Sequence, residues 1–139
     1  MNTLTKLLTL GACFSAAACT MPRAADVAGE QSQLEIRQIQ SREYDTLNKR
    51  MALRSTIATL QDLGFYIDNA DLDLGTVTAT RHSGQTMRMT VTARERAGQR
   101  VVVRANARLG ERGIDELDTY QDFFVALDKA IFLTRNQVD

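Results

Sequence analysis

Seven arginines fall between positions 81 and 108: Arg81, Arg88, Arg94, Arg96, Arg100, Arg104 and Arg108. A single acid, Glu95, opposes them, for a local net charge of +6. Guanidinium groups bond carboxylates and phosphates through two parallel N–H donors, so the chemistry on offer is anion recognition. Parity sharpens the point. Over 85–96, Arg88, Thr90, Thr92, Arg94 and Arg96 alternate with Met87, Met89, Val91 and Ala93; over 100–109, Arg100, Val102, Arg104, Asn106 and Arg108 alternate with Val101, Val103, Ala105 and Ala107. Successive strand side chains point to opposite faces, so a hairpin of these runs places the arginines on one solvent face. Arg88, Arg94, Arg104 and Arg108 are the expected contacts with an anionic surface: lipopolysaccharide phosphates, phospholipid headgroups or an acidic protein. The plainer reading is a solvated face charged against aggregation. Glu111, Asp115, Glu116, Asp118 and Asp122 follow in sequence and offer a counterweight.

Other chemistries lack their parts. Asp68, Asp71, Asp73 and Gly75 fail the spacing of a calcium loop, because glycine stands where a third acid is needed. An Asp/Asn-rich turn accounts for them. His82 is the only histidine and lies beside Ser83-Gly84, a turn signal. With no second histidine, neither a zinc site nor a Ser-His-Asp triad can be assembled. The acids cluster in turns, and the chain has no tryptophan to stack on a sugar. The expectation is a protein that is not an enzyme and carries no cofactor or metal.

The N-terminus speaks to location. Lys6 is followed by an apolar run from Leu7 to Ala18, of signal-peptide length and too short to span a bilayer, with small residues before Cys19. Ser15-Ala16-Ala17-Ala18-Cys19 resembles a bacterial lipobox. The resemblance implies that Cys19 takes a diacylglycerol on its sulfur, that cleavage falls just before it, and that Thr20 sends the protein to the outer membrane, facing the periplasm. Leu10-Gly11-Ala12-Cys13 is a competing lipobox with a shorter apolar run, and an ordinary secretory signal without lipid is a third reading. Loss of 1–18 leaves 121 residues, one small domain, with a formal charge of −1 and no thiol beyond Cys19. That balance argues against a nucleic-acid partner.

Elements must position the arginines. The stretch 19–33, with Pro22, Gly29 and Ser32, reads as a lipidated flexible tether, and 34–139 as the folded domain. The pattern predicts a strand over 34–43 and a helix capped by Asp45 or Thr46 and running to Leu63, with Leu47, Met51, Leu53, Ile57 and Leu60 on its apolar side. Gly64 stops that helix in the left-handed conformation, and Phe65 folds back on its last turn. Four strands follow, over 65–70, 75–82, 85–96 and 100–109. The last helix, over 119–135, carries Tyr120, Phe123, Phe124, Leu127, Ala130 and Ile131 at helical spacing. Val125 and Phe132 lie off that stripe, on the side of Gln121 and Asp128, and read either as an edge covered by the tether or a loop, or as a partner or homodimer contact. The order β-α-β-β-β-β-α describes an α+β two-layer sandwich, an antiparallel sheet with two helices on one face.

The run Leu60-Gln61-Asp62-Leu63-Gly64-Phe65, an acidic turn, and Gly75-Thr76-Val77-Thr78-Ala79 resemble the helix-grip domains of BamC-type outer-membrane lipoproteins. One such domain stands here where that family has two. The resemblance implies the fold, the compartment and a place beside machinery that inserts β-barrels. The functional expectation is a lipid-anchored periplasmic binding protein, a subunit of an outer-membrane assembly or transport complex. The alternative is a binder of a small hydrophobic ligand or lipid between helix and sheet, with Met51, Met87, Met89, Tyr120 and Phe123 as walls.

Overall fold

A computed structural model describes residues 24–45 and 48–136. The signal-like segment, Cys13, Cys19, Thr46 and Leu47 lie outside the described residues. The elements are α1 (Ala24–Ile39), β1 (Ser41–Asp45), α2 (Lys49–Asp62), β2 (Tyr66–Asp71), β3 (Thr76–Ser83), β4 (Gln85–Arg96), β5 (Arg100–Leu109), β6 (Arg112–Gly113) and α3 (Leu117–Asn136). The class is the expected one, α+β with an antiparallel sheet whose inner face carries α2 and α3.

The strand expected over 34–43 is the principal correction. Its first half belongs to α1, and β1 begins only at Ser41. Gln33, Glu35, Arg37 and Gln38 are good helix formers, and no β-branched run opposes them. Ile36 and Ile39, three apart, are the half-buried positions, and Gln40 N–H closes the last turn on the Ile36 carbonyl at 3.1 Å. The part of the expected tether from Ala24 onward is helical as well. The cap of α2 is also displaced. Asp45 stays in β1 opposite Arg100, and Asn48 caps the helix by accepting the Met51 N–H at 2.7 Å.

The far end of α2 is as expected. Gly64 has φ +80, its N–H bonds the Gln61 carbonyl (3.0 Å), and the Phe65 N–H reaches back to Leu60 (2.8 Å). These two bonds form a Schellman motif, with Leu60 and Phe65 both buried behind it. Gly75 is fixed by a different cause. A Cβ there would stand 2.4 Å from the Ala93 carbonyl oxygen, because Gly75 and Ala93 join at a close backbone approach.

β2, β3, β4 and β5 form an antiparallel meander, in the sheet order β1-β5-β4-β3-β2. β1 and β6 share the second edge of β5, pairing with opposite ends of it. The inner face is Val77, Ala79, Met89, Val91, Ala93, Val101, Val103, Ala105 and Ala107, all buried. Leu53 and Leu60 of α2 and Tyr120, Phe123, Phe124 and Leu127 of α3 close the core over it. This packing fixes the register, so the other parity of β4 and β5 must face outward.

Candidate functional site: the arginine face

Register puts the outward residues in rows across the sheet. Arg108 faces Arg88, Asn106 faces Thr90, Arg104 faces Thr92, Val102 faces Arg94 and Arg100 faces Arg96. Thr90 and Thr92 continue to Thr78 and Thr76 of β3, and Arg88 to Thr80. Ser41, Glu43 and Asp45 of β1 lie beyond Arg104, Val102 and Arg100. All four arginines singled out in the sequence are on this face and exposed.

Their partners differ. The side chains of Arg88 and Arg94 make no hydrogen bond or ion pair among the described residues. Arg104 reaches the Gln40 side-chain oxygen at 3.5 Å, and Arg108 donates to the Glu111 backbone carbonyl at 3.0 Å. Arg96 and Arg100 are held by one carboxylate: Glu43 lies 2.8 Å from Arg100 and 4.0 Å from Arg96. The face therefore has one end held by Glu43, and two side chains, Arg88 and Arg94, without an acid.

One expectation needs correction, and one arginine of the seven lies apart: Arg81, outside the two alternating runs, is not part of this face. Its parity is that of Val77 and Ala79, and its guanidinium lies over the Phe65 ring at 4.7 Å while donating to the Leu63 carbonyl at 3.2 Å. It braces the helix stop from below. The counterweight comes from elsewhere. Of the five acids that follow β5, Glu111 alone approaches an outer arginine, at 3.8 Å from Arg108; Asp118 and Asp122 border the cleft beside Arg81. The acid shared by two arginines of the face is Glu43, distant in sequence and brought in by β1.

Val125 and Phe132 are exposed, at 59% and 64%. Between them on the helix, Asp128 has another task. One carboxylate oxygen pairs with Arg42 and the other accepts the Tyr44 hydroxyl at 2.8 Å, which fastens β1 to α3. The Arg42 guanidinium also lies 5.0 Å from the centre of the Phe124 ring. Burial, reinforced by the bond to Asp128, raises the Tyr44 hydroxyl well above its ordinary pKa of 10.0. Phe132 borders an open groove with Tyr44 and Ile131.

Tyr120, expected on the apolar stripe of the last helix, is fully buried, and its hydroxyl makes three hydrogen bonds. It accepts from the Ala107 N–H (3.1 Å) and the Gln40 amide (3.1 Å) and donates to the Ile114 carbonyl (2.6 Å). It fills the gap between β1 and β6 on the edge of β5, where the buried Ala107 N–H has no strand opposite. No sequence signal marks this role, since the partners are 80, 13 and 6 positions away.

Of the remaining candidates, Asp68 lies in β2 and accepts the Thr80 hydroxyl at 2.6 Å. Asp71 accepts the N–H groups of Asp73 and Leu74 at 3.0 and 2.8 Å, a self-closed Asx turn. His82 is exposed and sits 3.1 Å from the Thr86 hydroxyl. Among the described residues no three metal-ligating side chains cluster, and no helix is long and apolar enough to cross a membrane. The cleft between α3 and the sheet, beside Met87, Met89 and Phe123, has a volume of about 140 Å³. No family model matches the chain, and no curated protein matches its sequence.

Proposed function

We propose that the chain is a lipid-anchored periplasmic binding protein of the bacterial outer membrane, which holds an anionic envelope component against the outer face of its sheet. It serves as an accessory subunit of an assembly or transport complex and catalyses no reaction. The observation that carries this reading is the arginine face, above all Arg88 and Arg94, which are exposed and have no partner among the described residues. The lipobox resemblance at Cys19 supports the anchor. The small-ligand alternative needs room where the core is filled. Tyr120, Phe123 and Met89 are buried, and the adjoining cleft of about 140 Å³ is well below the roughly 300 Å³ of a small ligand pocket.

The test changes Arg88, Arg94, Arg104 and Arg108 to glutamine. Exposed substitutions of this kind move stability by under about 0.5 kcal/mol each, so the fold survives. The full-length protein is purified from membranes at low and high ionic strength, as wild type and as the quadruple variant. Co-purifying components should fall away in the variant and, for wild type, in high salt. Equal recovery in every arm would reduce the face to a solubility device.

A further inference from the structure

We propose that the anionic surface received by the arginine face is the phosphate headgroup layer of a lipid membrane; this rests on the reading of that face as the binding site. The arrangement is planar and repetitive. Arg88 and Arg94 lie six residues apart on β4, about 20 Å at the rise of a strand. Arg104 and Arg108 run beside them on β5. The four do not converge on one point, so no single small anion can engage them together.

The centre of the face is not that of a protein interface. Thr76, Thr78, Thr90, Thr92 and Asn106 occupy it, with Val102 half-buried among them. Tight protein contacts bury aromatic and apolar anchors at the centre and keep charge at the rim. Here the middle carries threonines, Asn106 and Arg104 and no aromatic anchor, with Arg88, Arg108 and Arg94 in the rows to either side. The one aromatic ring on the face among the described residues is Tyr66, 74% exposed at the β2 edge, in the row of Thr80 and Arg88. A tyrosine beside arginines suits the headgroup level of a bilayer. Arg88 also stands directly opposite Arg108, a like-charge pair that weakens the sheet unless an anion intervenes. The equivalent pair at the other end, Arg96 and Arg100, shares Glu43, whereas here Glu111 reaches only Arg108, at 3.8 Å. Rows of phosphates supply the charge that Arg88 and Arg94 lack, each with oxygens for a bidentate guanidinium contact.

The test uses the full chain with Cys13 and Cys19 changed to serine, so that acylation plays no part. Partition is measured onto phosphatidylcholine vesicles and onto vesicles of phosphatidylcholine mixed with phosphatidylglycerol. The N-terminal segment is common to all variants, so the ratio of the two partition coefficients isolates the contribution of the arginines. Wild type should prefer the anionic vesicles. The quadruple Arg→Gln variant should lose about tenfold or more of that preference, and salt should erase it. The double variant Arg88→Gln/Arg94→Gln removes only guanidinium groups without internal partners and should lose a substantial part, with an unchanged unfolding midpoint. A wild-type ratio of one, or an unchanged ratio in both variants, overturns the lipid assignment. If the membrane purification still depends on the arginines and on salt in that case, the partner is an acidic protein and the reading of the face stands. If it does not, both fall.

Discussion

Tyr120 supplies the acceptor for the Ala107 N–H at the place where β1 has ended and β6 has not begun. Tyr120→Phe keeps the ring and its packing but strips partners from the Ala107 N–H, the Ile114 carbonyl and the Gln40 amide. A buried polar group left unpaired costs about 1–3 kcal/mol, so the variant should lose roughly 2 kcal/mol or more in chemical denaturation. A loss under about 0.5 kcal/mol would mean that other groups or water take over the bonds. The spacing of Tyr120 with Phe123, Phe124 and Leu127 was enough to place it in the core, because periodicity reports which side of a helix is buried. It was silent about the hydroxyl, whose partners are set by tertiary distance. The same limit hid Arg42, Glu43 and Tyr44, each of which matters through a residue far along the chain. The four arginines were legible because strand parity alone puts them outside.

At the scale of elements, the β4–β5 hairpin and the stop of α2 could be read from local rules: strict alternation, glycine at a turn, glycine in a left-handed cap. The boundary of α1 and β1 could not. Over 34–43 the apolar residues are few, and the choice between periods 2 and 3.6 rests on where the chain docks. That docking is made by β1, which fills half an edge of β5 and is fastened to α3 through Asp128. The tie has a pH signature. The Tyr44 hydroxyl is raised above its ordinary 10.0 in the folded state, so the native protein keeps a proton that the unfolded chain releases at high pH. The stabilisation is complete below pH 10 and falls as pH rises beyond it. Urea midpoints at neutral pH and above pH 10 should fall more steeply for wild type than for Tyr44→Phe, which has nothing to ionise there. The variant should also start lower at neutral pH, having lost its bond to Asp128. Parallel pH profiles for the two proteins would remove Tyr44 from the account.

For the whole molecule, the arrangement of surfaces acquires meaning from how the chain is held. The exposed Val125 and Phe132 lie on α3, over the inner face of the sheet, and the arginines occupy the outer face. The last turns of α1 meet the rim of the arginine face, where Leu34 and Arg37 border a groove with Ser41, Glu43, Arg96 and Val102. A lipid on Cys19 would be followed by four residues before Ala24, and the 16 residues of α1 rise about 24 Å. An anchor there keeps the domain within a few tens of ångströms of the bilayer and joins it on the side of β1. Under the proposed reading, anchoring and headgroup contact would reinforce one another, because a tethered face meets its surface at a high effective concentration. The anchor itself is tested directly. Only a thiol can form the thioether, so Cys19→Ser should abolish palmitate labelling, leave an uncleaved precursor, and release a fraction of the protein from outer-membrane preparations. Cys13→Ser should label normally. Labelling that survives in Cys19→Ser and disappears in Cys13→Ser would move the acceptor to Cys13, lengthen the connection to α1 by six residues, and leave the arginine face unaltered. Labelling absent from the wild type would detach the domain from the membrane, and the arginine face would have to find its surface by charge alone.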